Sequence, residues 1–260
     1  MATISWVNLA WCLVPVALVC SVYAAWQGRP TGILYASARM LVQLIAVGYV
    51  LVAIFDSPSP WVSAVVVSLM LLIAAWIAIR PVRHHRGFLW PATLALGVSV
   101  GFHLLLSLTC VLRVDDLLQP RLLIPLAGMY FANTMNAISL AAERYHAELH
   151  NGQAEQNARL AAFHAAMIPQ INGLLAVGLV ALPGMMTGQI LSGVSPLIAV
   201  RYQIMIMTMV LGASGLGAAL MLWLLGRYGD LQALSGTLSS GTTSSTQPNG
   251  KASMDRKPPT

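Results

Sequence analysis

The chain has 260 residues, 57% of them hydrophobic and 8% charged, with a formal net charge of +6 and a mean hydropathy of +0.73. Soluble domains carry about a quarter charged residues. A fold of this size cannot bury so much apolar surface away from water, so composition excludes a soluble domain and implies an integral membrane protein of several helices. The positive charge is spread thinly between apolar runs, which is the pattern of topology signals and gives no footprint for nucleic acid.

Hydropathy predicts about seven spans. In chain order they are Trp6–Trp26, Ala38–Phe55, Trp61–Ile79, Trp90–Leu112, Leu122–Ala142, Met167–Leu191 and Tyr202–Leu225. The first run lacks a basic leader and is long enough to cross a bilayer, so it reads as a span and not as a cleaved signal. Turn chemistry separates the runs: GRP at 28–30, SPSP at 57–60 and QP at 119–120. Runs this long and continuous cannot be membrane strands, so the fold class is all-α, a polytopic transmembrane helical bundle. The expected domain is 1–228, followed by a Ser/Thr/Gly/Pro-rich tail over 229–260 with too little apolar surface to fold.

Placement of arginine sets the expected orientation. One set of connectors and helix ends holds Arg29, Arg39, Arg80, Arg83, Arg86, Arg144, Arg159 and Arg227. The opposite set holds Arg113, Arg121 and Arg201, with Asp56, Asp115 and Asp116. The bias puts the N-terminus outside and the C-terminus inside. The polar, helix-favouring stretch 143–166, ERYHAELHNGQAEQNARLAAFHAA, then forms a cytoplasmic connector.

No phosphate-binding loop, H-E-x-x-H or C-x-x-C motif occurs in the chain. Nucleotide energy, if used, must therefore be supplied by another subunit. Three scattered cysteines argue against a disulfide framework. Glu143, His146 and His150 share one helical face that a divalent metal could use, although a solvated helix carrying histidines explains them equally simply. His103 lies at membrane depth and must face the bundle interior, as a ligand or as a satisfied core residue.

Gln43 in the second span and Asn133, Asn136 and Ser139 in the fifth form polar positions that suit either close helix packing or a substrate path. Methionines at 185, 186, 205, 207 and 209 supply thioethers or flexible filler. The stretch LPGMMTGQILSGVSP (182–196) interrupts the sixth span. Pro183 comes about 16 residues after Met167, ~24 Å up an ideal helix, and it removes a backbone hydrogen bond there. Gly184 and Gly188 leave the backbone accessible, while Met185, Met186, Thr187 and Gln189 stand ready to satisfy freed groups or touch a substrate. With Tyr202 and Gln203 at the start of the last span, these residues make the expected gate.

Three blocks together carry a resemblance: ASARMLVQLIAVGYVLVAIF (36–55), PLAGMYFANTMNAISLAAER (125–144) and IPQINGLLAVGLVALPGMMTGQILSGVSPLIAVRYQIMIM (168–207). The chain resembles the FetB-like permeases, membrane subunits of bacterial ABC transporters assigned to iron export, with plant relatives linked to aluminium tolerance and UDP-glucose transport. The resemblance implies a multi-pass protein of the bacterial inner membrane and a homodimer of the permease. It also implies a separate soluble ABC-type ATPase, which docks on the connector through residues such as Glu143, Arg144, Glu148 and Arg159.

Between Arg144 and Ile168 the chain is shorter than the family pattern and lacks its Gly-Ala-x-Pro turn. The docking surface is then either rebuilt from 148–159 or weakened. The resemblance implies no cofactor and leaves any metal ligands unknown. It also implies no enzymatic activity, since ATP hydrolysis falls to the partner. Two other readings remain open on the residues: a carrier or channel that needs no ATPase, and a membrane scaffold that transports nothing.

Overall fold

The computed structural model describes residues 5–26, 28, 30–56, 59–82 and 88–241, with side chains as far as Arg227 except those of Trp6 and Asp56. Arg29, residues 83–87 with their two arginines and two histidines, and residues 242–260 lie outside the described residues. The described chain is helical: α1 (Trp6–Leu9), α2 (Leu13–Ala25), α3 (Thr31–Asp56), α4 (Pro60–Ala78), α5 (Leu89–Leu106), α6 (Pro120–His150), α7 (Glu155–Ala176), α8 (Gly184–Leu191) and α9 (Pro196–Gly241). Among the described residues the only extended pairing is an isolated bridge between Val177 and Ala181.

Proline explains several boundaries. Pro60 and Pro120 occupy the first turns of α4 and α6, where the missing N–H has no intrahelical partner to lose. Pro15 falls just after a 3-10 turn at Ala10–Cys12 that divides α1 from α2, as expected where its ring crowds the preceding carbonyls. α5 ends in a π turn, Ser107–Val111. α9 continues past residue 229, where the tail was expected to begin, as far as Gly241.

Five helices are long and apolar enough to cross a membrane: Val7–Ala25, Thr31–Phe55, Pro60–Ala78, Leu89–Val111 and Pro196–Arg227. The bundle is thus a helical membrane bundle, but two of the expected spans differ in kind. Leu122–Ala142 lies inside the 31-residue α6, whose polar positions dilute its hydropathy. The expected span Met167–Leu191 is not one helix. α7 stops at Ala176, residues 177–183 form a turn with Gly178 at φ +83°, and α8 begins afresh at Gly184. Pro183 is therefore not a kink within a continuous helix; it is the extended N-cap of α8. Val177 leaves α7 in extended backbone, and the left-handed Gly178 reverses the chain, a conformation that glycine adopts without steric cost.

α6 and α9 form the centre, with α4, α5 and α7 packed on them and α8 lying along α9; α3 reaches this core only thinly, through α6. The core packs large side chains such as Tyr130, Leu126 and Met221 among many alanines and a few buried polar residues, and the small residues let helix backbones approach in lipid. His103 of α5 donates from Nδ1 to Ser99 O at 2.8 Å and lays its ring on the backbone of Gly212 in α9. It is a satisfied core residue. Ser107 and Tyr130 share a 2.8 Å hydrogen bond between α5 and α6. Gly217 of α9 faces Thr134 and Ser99 so closely that a Cβ there would meet Thr134 Cγ2 at 2.5 Å and Ser99 Oγ at 3.1 Å.

This packing makes a differential prediction. Gly217→Leu destabilises the detergent-solubilised protein by about 1–3 kcal/mol through overpacking, seen as a lowered melting temperature. Gly188→Ala, where an added Cβ meets open space, leaves it unchanged. Equal melting temperatures for the two variants would refute the close approach of α9 to α5 and α6.

Candidate functional site

One end of the molecule is tied by the α6–α7 hairpin. α6 ends at His150, the chain turns through 151–154 with Gly152 at φ +79°, and α7 begins at Glu155. The connector expected over 143–166 is therefore two helix ends and a tight turn. Each end carries an i,i+4 ion pair, Arg144 with Glu148 at 2.5 Å and Glu155 with Arg159.

Tyr145 is buried beside the second pair. Burial, reinforced by the Glu155 carboxylate, raises its hydroxyl above the ordinary phenol range. Gly226 of α9 packs directly on Arg159 and Glu155. Glu143, His146 and His150 line a surface cleft with Pro81 and Val82. The imidazole of His146 packs between the rings of Phe88, at 5.3 Å, and Tyr145, at 5.9 Å. No group of three metal-ligating side chains stands together among the described residues.

From the hairpin, α7 runs back along α6 with Ala158, Ala162 and Ala166 fully buried. These positions repeat every four residues and so share one face. The next position on that face is Gln170, and there the helices part around a cavity of about 430 Å³. Its walls come from α6, α7, the start of α8, and α9. Four carboxamides line it, those of Asn133, Asn136, Gln170 and Gln203, together with the thioethers of Met129, Met185 and Met207.

No carboxylate, imidazole, ammonium or guanidinium belongs to this lining. Asn133 donates from Nδ2 to Met129 O at 2.8 Å, which leaves its amide oxygen as a free acceptor. Pro169, also in the lining, lacks the N–H that would have paired with the carbonyl of Ala165. Gly184 and Met185 bring the N-terminal turn of α8 to the same space, and the first N–H groups of a helix have no intrahelical partner.

Gln203 is 7% exposed and stands between this cavity and a second, apolar one of about 280 Å³ under the 177–182 turn. No hydrogen bond joins its amide to another described residue. Met186 lines the second cavity.

The expected gate residues thus divide. Asn133, Asn136, Pro183, Gly184, Met185 and Gln203 share the first cavity. Thr187 closes on Pro183 O at 3.1 Å, Gln189 buries its amide oxygen without a described partner, and Tyr202 packs on the core. Gly188 faces open space. Gln43 lies apart, in a cleft between α3 and α4. Reasoning from spans missed Gln170, Pro169 and Met129, and noted Met207 only as one of a group of methionines. The i,i+4 continuation of the alanine face, 158–162–166–170, is the signal that finds Gln170.

The family model described as "Uncharacterised protein family (UPF0014)" matches residues 5–228. Over 229 residues the chain is 37% identical to a UPF0014 membrane protein of Synechocystis, covering 80% of this chain and 87% of that one. It is 30% identical over 209 residues to the probable iron export permease protein FetB of Escherichia coli, covering 74% and 79%. It is 32% identical over 207 residues to the UPF0014 membrane protein STAR2 of rice, covering 74% and 71%. No solved structure matches the chain. The family match runs from the first described residue to residue 228, within α9, and takes in every wall of the cavity: the chain belongs to the UPF0014 family of membrane proteins.

Proposed function

We propose that this chain is the membrane-spanning permease subunit of an ABC-type transporter of the bacterial cell membrane. It works as a homodimer with a separate soluble ATPase and exports a metal ion such as iron, or a small polar solute. The observation that carries the reading is the neutral cavity at the break between α7 and α8. Non-helical backbone at membrane depth is tolerated only against protein or a water-filled space. Discontinuous helices flanking such a space are how many carriers build their substrate sites.

The name of the Escherichia coli relative supplies iron as the candidate cargo. The lining supports passage of a cation through amide oxygens and thioethers, or of a chelate or polar solute that hydrogen-bonds to the carboxamides.

In this reading the hairpin end of α6 and α7 faces the cytoplasm and receives the ATPase, with Glu143, Arg144, Glu148 and Arg159 on the docking surface. ATP binding to the partner moves the hairpin, and the walls joined to it, α7 and α6, switch the cavity between inward and outward exposure. The 177–183 turn is the flexible element of that switch. A second reading, an ATPase-independent carrier, is favoured by the same discontinuous helix.

Three outcomes follow. Replacing Gln203 or Asn136 by Leu lowers transport in proteoliposomes at least ~10-fold, the loss of one buried polar contact of about 1–3 kcal/mol, with unchanged expression and melting temperature; unaltered transport would remove the cavity from the path. An ATPase subunit co-purifies with the intact chain and is lost when 143–159 is replaced by a Gly/Ser linker. Transport by the chain alone, without ATP, would decide for the second reading. Replacing Pro183 and Gly184 together by alanine slows transport while leaving cavity binding intact, and normal transport would make the break structural only.

A further inference from the structure

We infer that the cleft between α3 and α4 binds the phosphate headgroup of an anionic phospholipid, a role separate from the transport path. The cleft has a volume of about 330 Å³ and is lined by Tyr35, Arg39, Gln43, Trp76 and Arg80 among others. Two guanidinium groups share it and no carboxylate does. Among the described residues neither Arg39 nor Arg80 forms an ion pair. Two like charges in one low-dielectric cleft repel each other, and an anion seated between them converts that repulsion into attraction.

Arg39 is held in place for such a ligand. With its amide oxygen turned to the guanidinium, Gln43 accepts from Arg39 Nε at 3.0 Å and from Nη2 at 3.2 Å. The guanidinium carbon lies 5.7 Å from the centre of the Trp76 ring, within cation–π range. Arginine has five N–H donors, so this fixation leaves the outer edge of the fork unspent, and a fork of that shape matches phosphate oxygens.

Depth selects the source of the phosphate. The apolar span of α4 ends at Ala78, and Arg80 stands two residues beyond it, so the cleft sits where hydrocarbon gives way to headgroups. Tyr35 and Trp76 are both exposed and mark the same level, as aromatic side chains do at membrane interfaces. Pro81 and Val82, just beyond Arg80, share a surface cleft with Glu143 and His146 of α6, so the leaflet concerned is the one at the hairpin end. Basic clefts between helices at this level suit the phosphodiester of an anionic lipid.

The test uses the full chain in mild detergent, exchanged with phosphatidylglycerol, phosphatidylcholine or inorganic phosphate, with bound lipid counted by native mass spectrometry and stability followed by melting temperature. One phosphatidylglycerol per chain is retained and raises the melting temperature, whereas phosphatidylcholine does neither. The double variant Arg39→Gln, Arg80→Gln needs at least ~10-fold more phosphatidylglycerol for half-retention. Arg80→Gln alone, at an exposed position without a described partner, gives an intermediate loss if the double variant fails to fold. Arg227→Gln, an arginine at the same end on α9, leaves retention unchanged. Equal retention of the two lipids, equal loss in Arg227→Gln, or equal protection by inorganic phosphate would each overturn the assignment.

Discussion

A backbone amide placed in hydrocarbon without a partner costs several kcal/mol, and that constraint decides how this molecule can interrupt a helix within its apolar part. The amides of residues 177–181 meet it within the turn and the end of α7. Gly178 N donates to Ala181 O at 3.0 Å, while Val180 N and Ala181 N donate to Ala176 O at 2.8 and 3.1 Å. The turn therefore closes on the last carbonyl of α7 and on its own backbone. Leu179 and Val180 can then point outward, 91% and 84% exposed, with apolar side chains and no unpaired amide behind them. The first cavity lies beside the last turns of α7, at Ala166–Gly173, and the start of α8, while the second lies under the turn itself.

The packing below the break follows from side-chain size. Ala158, Ala162 and Ala166 let α7 lie close on the hairpin-side half of α6, where Ala141 and Ala142 are also fully buried. Gly212 and Gly217 do the same for α9 against α5 and α6. One turn further along α7 the small residue gives way to Gln170, with Pro169 beside it, and the helices separate. A single face of α7 thus serves first as a seam and then as a wall, with a change of residue type marking the boundary.

The sequence was informative wherever one property repeated along a regular helix. The long apolar runs, the proline at the starts of α4 and α6, and the three-residue step from Asn133 to Asn136 all survive in the structure because local geometry fixes them. Two features were not legible. Residues 177–182 are as apolar as the helix before them, so hydropathy and length merged α7 and α8 into one span; Pro183 and Gly184 marked an interruption but not a chain reversal, and the left-handed Gly178 that makes the reversal reads like any glycine within the apolar run of a membrane helix. Gln43 looked like the asparagines of α6 because both are carboxamides at membrane depth. Its placement depends on Arg39, four residues earlier on α3, and on α4, a tertiary neighbour that no single-helix pattern reveals.

The contact of Gly226 with the Glu155–Arg159 pair has a mechanical meaning. At that point α9 rests on the first turns of α7, and α7 is already fastened to α6 along its alanine face. Three of the rods that enclose the cavity are thereby clamped at one common footing, far from their free upper parts. A load applied to the 151–154 turn cannot strain one rod alone; it tilts the clamped set together. Compliance is then concentrated above the clamp, where Pro169 weakens α7 and the 177–183 turn interrupts it, so that small angular displacements at the footing become changes of width at the cavity.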